Sequence, residues 1–434
     1  MKLKVVFLAL AAVLAVGSTL LTGRLLSAPS ETAQTVVGGS TTTLGAFTTY
    51  VTPFGCTTAA STYGQRLVVA SPPGTIRNFR VLLSAAPGGE TSYTFTFMKN
   101  EANQPLSVTI SGDNVSGSDL VNSFAVAPGD KVTIKVVGTA GVASATPSWT
   151  FEFVPDVENN FWLTLTARPS TAGTAYAHLY GGLIWQTGAE SYAQAPIPLD
   201  GSISDLYVYI KPAPGSGKSF TFTLRKGGVS QSLSCQIANS DTTCSDTVNS
   251  YSVTAGDLIN VMSTKSGTPP APWGGIGVTF TPYPAGVSPV LMNNANKPLH
   301  ATEGRFYASA GDVSQWFSSD ISFVLTGEAT LHDLYAVLGA SPGSGTSYTI
   351  TMRREGADTE VSCQIADTGT TCSDTANSAS YADGDRVSVK ASPTNSPTAR
   401  PLAIGYALTT GAPKPTPTPE ATPTFTPFQY GWMD

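Results

Sequence analysis

Pro214-Gly-Ser-Gly-Lys-Ser-Phe-Thr-Phe-Thr-Leu224 decides how this chain is read. From Phe220 to Leu224, large apolar side chains alternate with threonine, the period-two pattern of a strand with one face in a core. The Pro-Gly-Ser-Gly before it is turn chemistry. The stretch recurs as Pro87-Gly-Gly-Glu-Thr-Ser-Tyr-Thr-Phe-Thr-Phe97 and as Pro342-Gly-Ser-Gly-Thr-Ser-Tyr-Thr-Ile-Thr-Met352, 127 positions before and 128 after. Gly129-Asp130, Gly256-Asp257 and Gly384-Asp385 keep the same spacings. So long a period exceeds the ~20–50 residues of solenoid repeats and matches a whole domain. Three tandem domains are expected.

Working outward, the strand before the Pro-Gly turn is Ile76-Arg-Asn-Phe-Arg-Val-Leu-Leu83, matched by Ile203-Ser-Asp-Leu-Tyr-Val-Tyr-Ile210 and Leu331-His-Asp-Leu-Tyr-Ala-Val-Leu338. After it come a strand near residue 108, a short loop, a strand ending in Gly-Asp, and Lys131-Val-Thr-Ile-Lys-Val136. Trp149-Thr-Phe-Glu-Phe153 closes the unit, and one or two strands precede Ile76. Short strands with turn signals at this density predict a two-sheet sandwich. The strand count and the long variable opening of each copy favour a jelly roll over an immunoglobulin-like order. The predicted fold class is all-β: three tandem antiparallel jelly-roll-like sandwiches, with an N-terminal signal segment and a Pro/Thr-rich C-terminal tail. The expected divisions are 1–28 signal peptide or anchor, 29–35 linker, 36–157, 158–285 and 286–411 the three repeats, and 412–434 the tail.

Lys2 and Lys4 precede the apolar run Val5 to Val16, an export signal or, read to Thr22, an uncleaved anchor. Membrane contact is expected only through that segment, if it is retained. Charged residues make up 12% of the chain, against roughly 25% in ordinary soluble proteins, so hydroxyls supply the polarity. The net charge of −6 comes without a basic block, which excludes clustered phosphate-backbone contacts and hence nucleic acid as a partner. At the other end, Pro413 to Pro427 reads as an extended spacer leading to Phe428-Gln-Tyr-Gly-Trp-Met-Asp434, either a frayed tail or a docking peptide.

Cys235 and Cys244 are nine apart, as are Cys363 and Cys372, at equivalent positions of repeats two and three. Each pair is expected to form a local disulfide in an oxidising compartment. So short a loop contributes about 2.5–3 kcal/mol in the chain-entropy model, less any strain. A zinc site is the rival, but neither pair has a His or further Cys nearby. Repeat one has Val108 and Gly117 at these places, so the bridge is optional to the fold. Cys56 is left over, as a buried thiol or a link between chains.

Few residues converge for catalysis. The three histidines, His178, His300 and His332, fall at unrelated points, with His332 expected on a solvated strand face. No nucleophile elbow or phosphate loop is present. Asp119, Asp246 and Asp374 recur after the second cysteine position, and Asp130, Asp257 and Asp385 in the Gly-Asp turns. They suit calcium as hard oxygen ligands, or the turns themselves as acceptors of backbone N–H. Trp149, Trp162, Trp185, Trp273 and Trp316, with the matched Tyr207 and Tyr335, are a sugar platform or packing. No catalytic, cofactor-binding or metal residue is assigned.

The Asp-Leu-Tyr strand, the Pro-Gly-Ser-Gly turn, Ser-x-Ser-Cys and Gly-Asp resemble uncharacterised β-sandwich repeats of bacterial exported proteins and phage-like fibres. More loosely, they resemble the jelly-roll heads of the C1q and tumour-necrosis-factor class. The likeness covers residues 75–136, 202–261 and 330–390. It implies a noncatalytic extracellular surface, fibre or virion component, structural or adhesive, that associates with itself or with a surface glycan or protein. A carbohydrate-binding surface protein is the alternative and a secreted hydrolase the third reading. Three copies stand in for a trimer or form a rod; the repeats alone leave both open.

Overall fold

The computed structural model describes residues 32–181, 185, 187–293, 298–307, 311–312 and 322–410. The signal segment, the C-terminal spacer and tip, Trp316 and the Cys56 side chain lie outside the described residues. Their regular structure is all strand apart from two short 3-10 turns, with no α-helix among the described residues. No described helix is long and apolar enough to cross a membrane.

Repeat one opens with β1 (Gln34–Ser40), β2 (Thr48–Val51), β3 (Gly55–Thr57) and β4 (Val68–Val69). Then come β5 (Gly74–Leu83), β6 (Ser92–Lys99), β7 (Ala102–Ser111), β8 (Ser116–Val126), β9 (Lys131–Gly138) and β10 (Pro147–Pro155). An inner sheet runs β3-β1-β10-β5-β8 and an outer sheet β2-β9-β6-β7, with β4 also paired to β9. Counting only the eight long-range strands, from first to last, these are 1-8-3-6 and 2-7-4-5, the jelly-roll order.

Repeat two repeats it with β11 (Phe161–Ala167), β12 (Ala175–Ala177), β13 (Ala195–Pro196), β14 (Asp200–Lys211), β15 (Gly215–Lys226), β16 (Val229–Asn239), β17 (Thr243–Val253), β18 (Leu258–Ser266) and β19 (Trp273–Tyr283). Repeat three has β20 (Val287–Asn293), β21 (Arg305–Tyr307), β22 (Gly311–Asp312), β23 (Phe323–Val324), β24 (Ala329–Leu338), β25 (Gly343–Arg354), β26 (Ala357–Asp367), β27 (Thr371–Tyr381), β28 (Arg386–Thr394) and β29 (Leu402–Thr410). Their inner sheets, β11-β19-β14-β17 and β22-β20-β29-β24-β27, keep the order of the first.

The period-two reading of β6 holds. Tyr93, Phe95 and Phe97 are fully buried, and the ring centroids of Phe97 lie 4.8 Å from Phe79 and 5.1 Å from Phe151 in the facing sheet. The threonines between them point outward, where Thr94 meets Thr109 at 3.0 Å and Thr96 meets Ser107 at 2.8 Å. Such cross-strand hydroxyl pairs hold a sheet face without charge.

The inner sheets behave differently. Every residue of β1, β11 and β20 is buried, on both faces. One face meets the repeat's own core, and the other meets a neighbouring repeat. β4 of repeat one packs on β11 and β19 of repeat two, β13 of repeat two on β29 and β20 of repeat three, and β23 of repeat three on β10 and β1 of repeat one. The three contacts close a ring with pseudo-threefold symmetry, so the trimer-like arrangement, and not the rod, is adopted.

Both ends of the described chain and both inter-repeat connections lie at one pole of this ring. Gln34 pairs with Phe153, Phe161 with Phe280 and Val287 with Thr409. The first connection bonds to both neighbours there: Thr32 Oγ1, ahead of β1, donates to Glu158 Oε1 at 3.3 Å, and the Gly286 N–H of the second connection to Asn159 Oδ1 at 2.8 Å. The three Pro-Gly turns sit at the opposite pole, past the far ends of β5, β14 and β24.

Candidate functional site

The repeated features form the seams of the ring. Asn78, Asp205 and Asp333 interrupt β5, β14 and β24 with left-handed backbone (φ 54°, 54° and 51°), which short polar side chains tolerate best. Each makes a β-bulge, marked by a register shift against β8, β17 or β27. The bulge carbonyl turns toward the neighbouring repeat. Ser71 Oγ of repeat one donates to the Asp205 carbonyl, and Thr326 Oγ1 of repeat three to that of Asn78 at 3.4 Å. The equivalent residue of repeat two is Pro198, which has no hydroxyl to give.

The seam between repeats one and two is the most heavily bonded. The buried Gln34 amide acts as a miniature strand: Nε2 donates to the Trp162 carbonyl at 2.9 Å, and Oε1 accepts the Trp162 N–H at 2.8 Å. Trp162 Nε1 donates to the Val69 carbonyl at 2.8 Å. Phe54 packs edge-on against Trp162 and Tyr180, with centroids at 4.7 and 5.5 Å. A Cβ on Gly277 would overlap the Val69 carbonyl, and one on the equivalent Gly405 would overlap that of Pro196. Only glycine admits so close a backbone approach.

The repeated acids are turn and bulge formers. Asp119 accepts the N–H groups of Ser107 at 3.0 Å, Val121 at 3.2 Å and Asn122 at 3.0 Å, together with the Asn122 side-chain amide. Asp246 and Asp374 repeat this with Ser234, Val248 and Asn249, and with Ser362, Ala376 and Asn377. Partial burial works against their ionised form, but the N–H donors outweigh it and hold all three below the usual carboxylate range. Oxygens so ringed by donors point their lone pairs away from a cation. Asp130, Asp257 and Asp385 likewise accept the N–H groups of Ala127, Thr254 and Ala382. Among the described residues no cluster of three or more His, Cys, Asp or Glu is placed to hold a metal.

Cys235–Cys244 and Cys363–Cys372 are disulfide-bonded, with Cα–Cα 5.8 and 5.7 Å. Each bridge ties the free edge of an outer sheet (β16, β26) to that of an inner one (β17, β27). In repeat one, a Cβ on Gly117 would stand 2.9 Å from Val108 Cγ1, so the valine occupies the volume the bridge takes elsewhere. Two disulfides fit a compartment outside the cytoplasm.

The histidines stay apart. His332, expected in solvent, is partly covered and fully engaged: Nδ1 lies 2.7 Å from Asp333 and Nε2 2.7 Å from Thr409 Oγ1. His300 Nδ1 accepts the Glu303 N–H at 3.1 Å. His178 is buried with neither nitrogen hydrogen-bonded among the described residues, and burial pushes its pKa down to about 3.

Trp149 and Trp162 are fully buried and Trp185 nearly so; they are core, not platform. Tyr335 packs over the Gly256 turn of repeat two, where burial, then the Asp333 and Asp200 carboxylates, push its phenol up. Arg80, its counterpart in repeat one, makes a 2.6 Å ion pair with Asp383 of repeat three. The matched tyrosine position is thus a seam position.

The seam between repeats two and three is incompletely filled among the described residues. Between repeats two and three lies a hollow of about 220 Å³, walled by Leu258, Val337, Leu338, Pro401 and Leu402 with Tyr192 beside it. At the equivalent places, repeats one and two carry Lys131, Tyr209 and Trp273. There the Lys131 ammonium lies 5.0 Å from the Tyr209 ring, and the Arg168 guanidinium 4.1 Å from that of Trp273. Exchange of two rings for Val337 and Pro401 opens the space.

No protein-family model matches the chain, and no curated protein matches its sequence.

Proposed function

We propose that this chain is a noncatalytic, exported structural or adhesive head: a trimer-like jelly-roll ring written into one polypeptide. The observation that carries the reading is the use made of the repeated residues. The residues recurring in all three copies serve bulges, turns and seams, so the duplication multiplied an architecture. The disulfides support life outside the cytoplasm. The likeness to exported and fibre-type sandwich repeats points the same way.

In this reading, the pole holding both ends of the ring faces the point of attachment. The opposite pole, built from the Pro-Gly turns and their hydroxyl-rich neighbours, faces outward. The test is to express the full chain in an exporting host and label single cysteines introduced at Ser216 and at Ala127 with a membrane-impermeant reagent. Strong labelling at Ser216 on intact cells with protection at Ala127 is expected. Equal labelling at both overturns the orientation, and substrate turnover abolished by one side-chain change overturns the noncatalytic role.

A further inference from the structure

The hollow between repeats two and three lies where its twin seam carries two aromatic rings. Where Tyr209 and Trp273 stand in one seam, Val337 and Pro401 stand in the other. None of the described lining residues is charged; hydroxyls and amides of Ser191, Gln194 and Thr371 join the apolar wall. Such a space accepts a neutral, flat, amphipathic ring.

The chain carries spare rings of that kind. Phe428-Gln-Tyr-Gly-Trp-Met-Asp434 has three aromatics in seven residues and lies outside the described part of the structure. It is tethered to the end of β29 at Thr410, while Leu402, at the other end of that strand, forms part of the wall. Eight strand residues separate them by about 27 Å. The intervening Gly411 to Pro427 spans up to about 53 Å at ~3.1 Å per residue in an extended proline-rich form. The tip therefore reaches with chain to spare, at the high effective concentration of a tethered ligand.

We infer that the C-terminal aromatic tip, residues 428–434, docks in this hollow and places a tyrosine or tryptophan ring where the twin seam has its own.

The test uses a fluorescent peptide of sequence Phe-Gln-Tyr-Gly-Trp-Met-Asp, titrated by anisotropy into three full-length proteins. They are the unaltered chain, the triple variant Phe428→Ala, Tyr430→Ala, Trp432→Ala, and that variant with Val337→Tyr added. The triple variant should bind the peptide, the unaltered chain at least tenfold more weakly because its own tip competes, and the Val337→Tyr protein at least tenfold more weakly because the hollow is filled. Val337→Tyr reproduces what position 209 tolerates, and an unchanged melting temperature shows that it folds; Pro401→Trp is the second filling variant. No binding to the triple variant, or equal binding with the hollow filled, overturns the proposal. Equal binding to the unaltered chain does so too. A concentration-dependent oligomer lost in the triple variant assigns the tip to another copy and overturns docking within one chain.

Discussion

The indole nitrogen of Trp162 donates to the Val69 carbonyl at 2.8 Å, from the first strand of repeat two into the short edge strand of repeat one. That bond crosses a domain boundary and is fully buried, and its loss leaves the carbonyl with only the long 3.4 Å contact from Thr164 Oγ1. Trp162→Phe keeps most of the packing and removes the donor. It should cost about 1–3 kcal/mol, the usual penalty for a buried acceptor left poorly satisfied, read by chemical denaturation. Arg80→Ala, by contrast, removes the part-exposed pair with Asp383. It should cost at most about 1 kcal/mol and matter less at high salt.

Gly117 and Val108 share the space that a disulfide fills in the other repeats. Gly117→Ala should therefore destabilise by about 1–3 kcal/mol through overpacking. Converting both positions to cysteine removes the obstructing valine and should add a third bridge, with a gain of up to about 3 kcal/mol. Free-thiol titration with a thermal melt checks both.

Asp246 receives three backbone N–H groups and one side-chain amide. Asp246→Ala strands those donors and should cost about 1–3 kcal/mol. Because the folded carboxyl is held below its ordinary value, its contribution is present above about pH 4 and is lost as the pH falls through the folded pKa. Neither calcium nor chelator should move the melting temperature.

His178 works with the opposite group but the same pH direction. Its folded pKa, about 3, lies below that of the unfolded imidazole, so between pH 6.5 and 3 the unfolded chain binds a proton that the folded chain refuses. Stability should fall as pH drops through that window, by roughly 1.4 kcal/mol per unit once well below 6.5. His178→Leu should flatten this slope, measured by melts between pH 7 and 4.5.

Much of one repeat was legible in the sequence. Tyr93 to Phe97 alternates because one face is core, Cys235 and Cys244 are spaced for a local bridge, and the repeated aspartates sit in turn contexts. The ring was not legible, because its seams join residues from 93 to 303 positions apart and leave no local period. Its traces were present: Val287-Ser-Pro-Val-Leu-Met292 carries no alternation, as befits a strand buried on both faces. Asn78, Asp205 and Asp333 interrupt otherwise good strands, and Gly277 and Gly405 recur two copies running. Each has a bland reading alone, and only the neighbouring repeat gives it a purpose. The hollow was still less visible, since it comes from side chains that are missing.

Concatenation changes what evolution can do with such a molecule. In an assembly of three identical polypeptides, every inherited substitution is imposed at three interfaces at once, and a damaging one is damaging three times over. Here the matched positions 82, 209 and 337 hold leucine, tyrosine and valine, so each boundary carries a side chain of its own. Fusing the subunits thus frees each junction to specialise alone, at the cost of perfect symmetry.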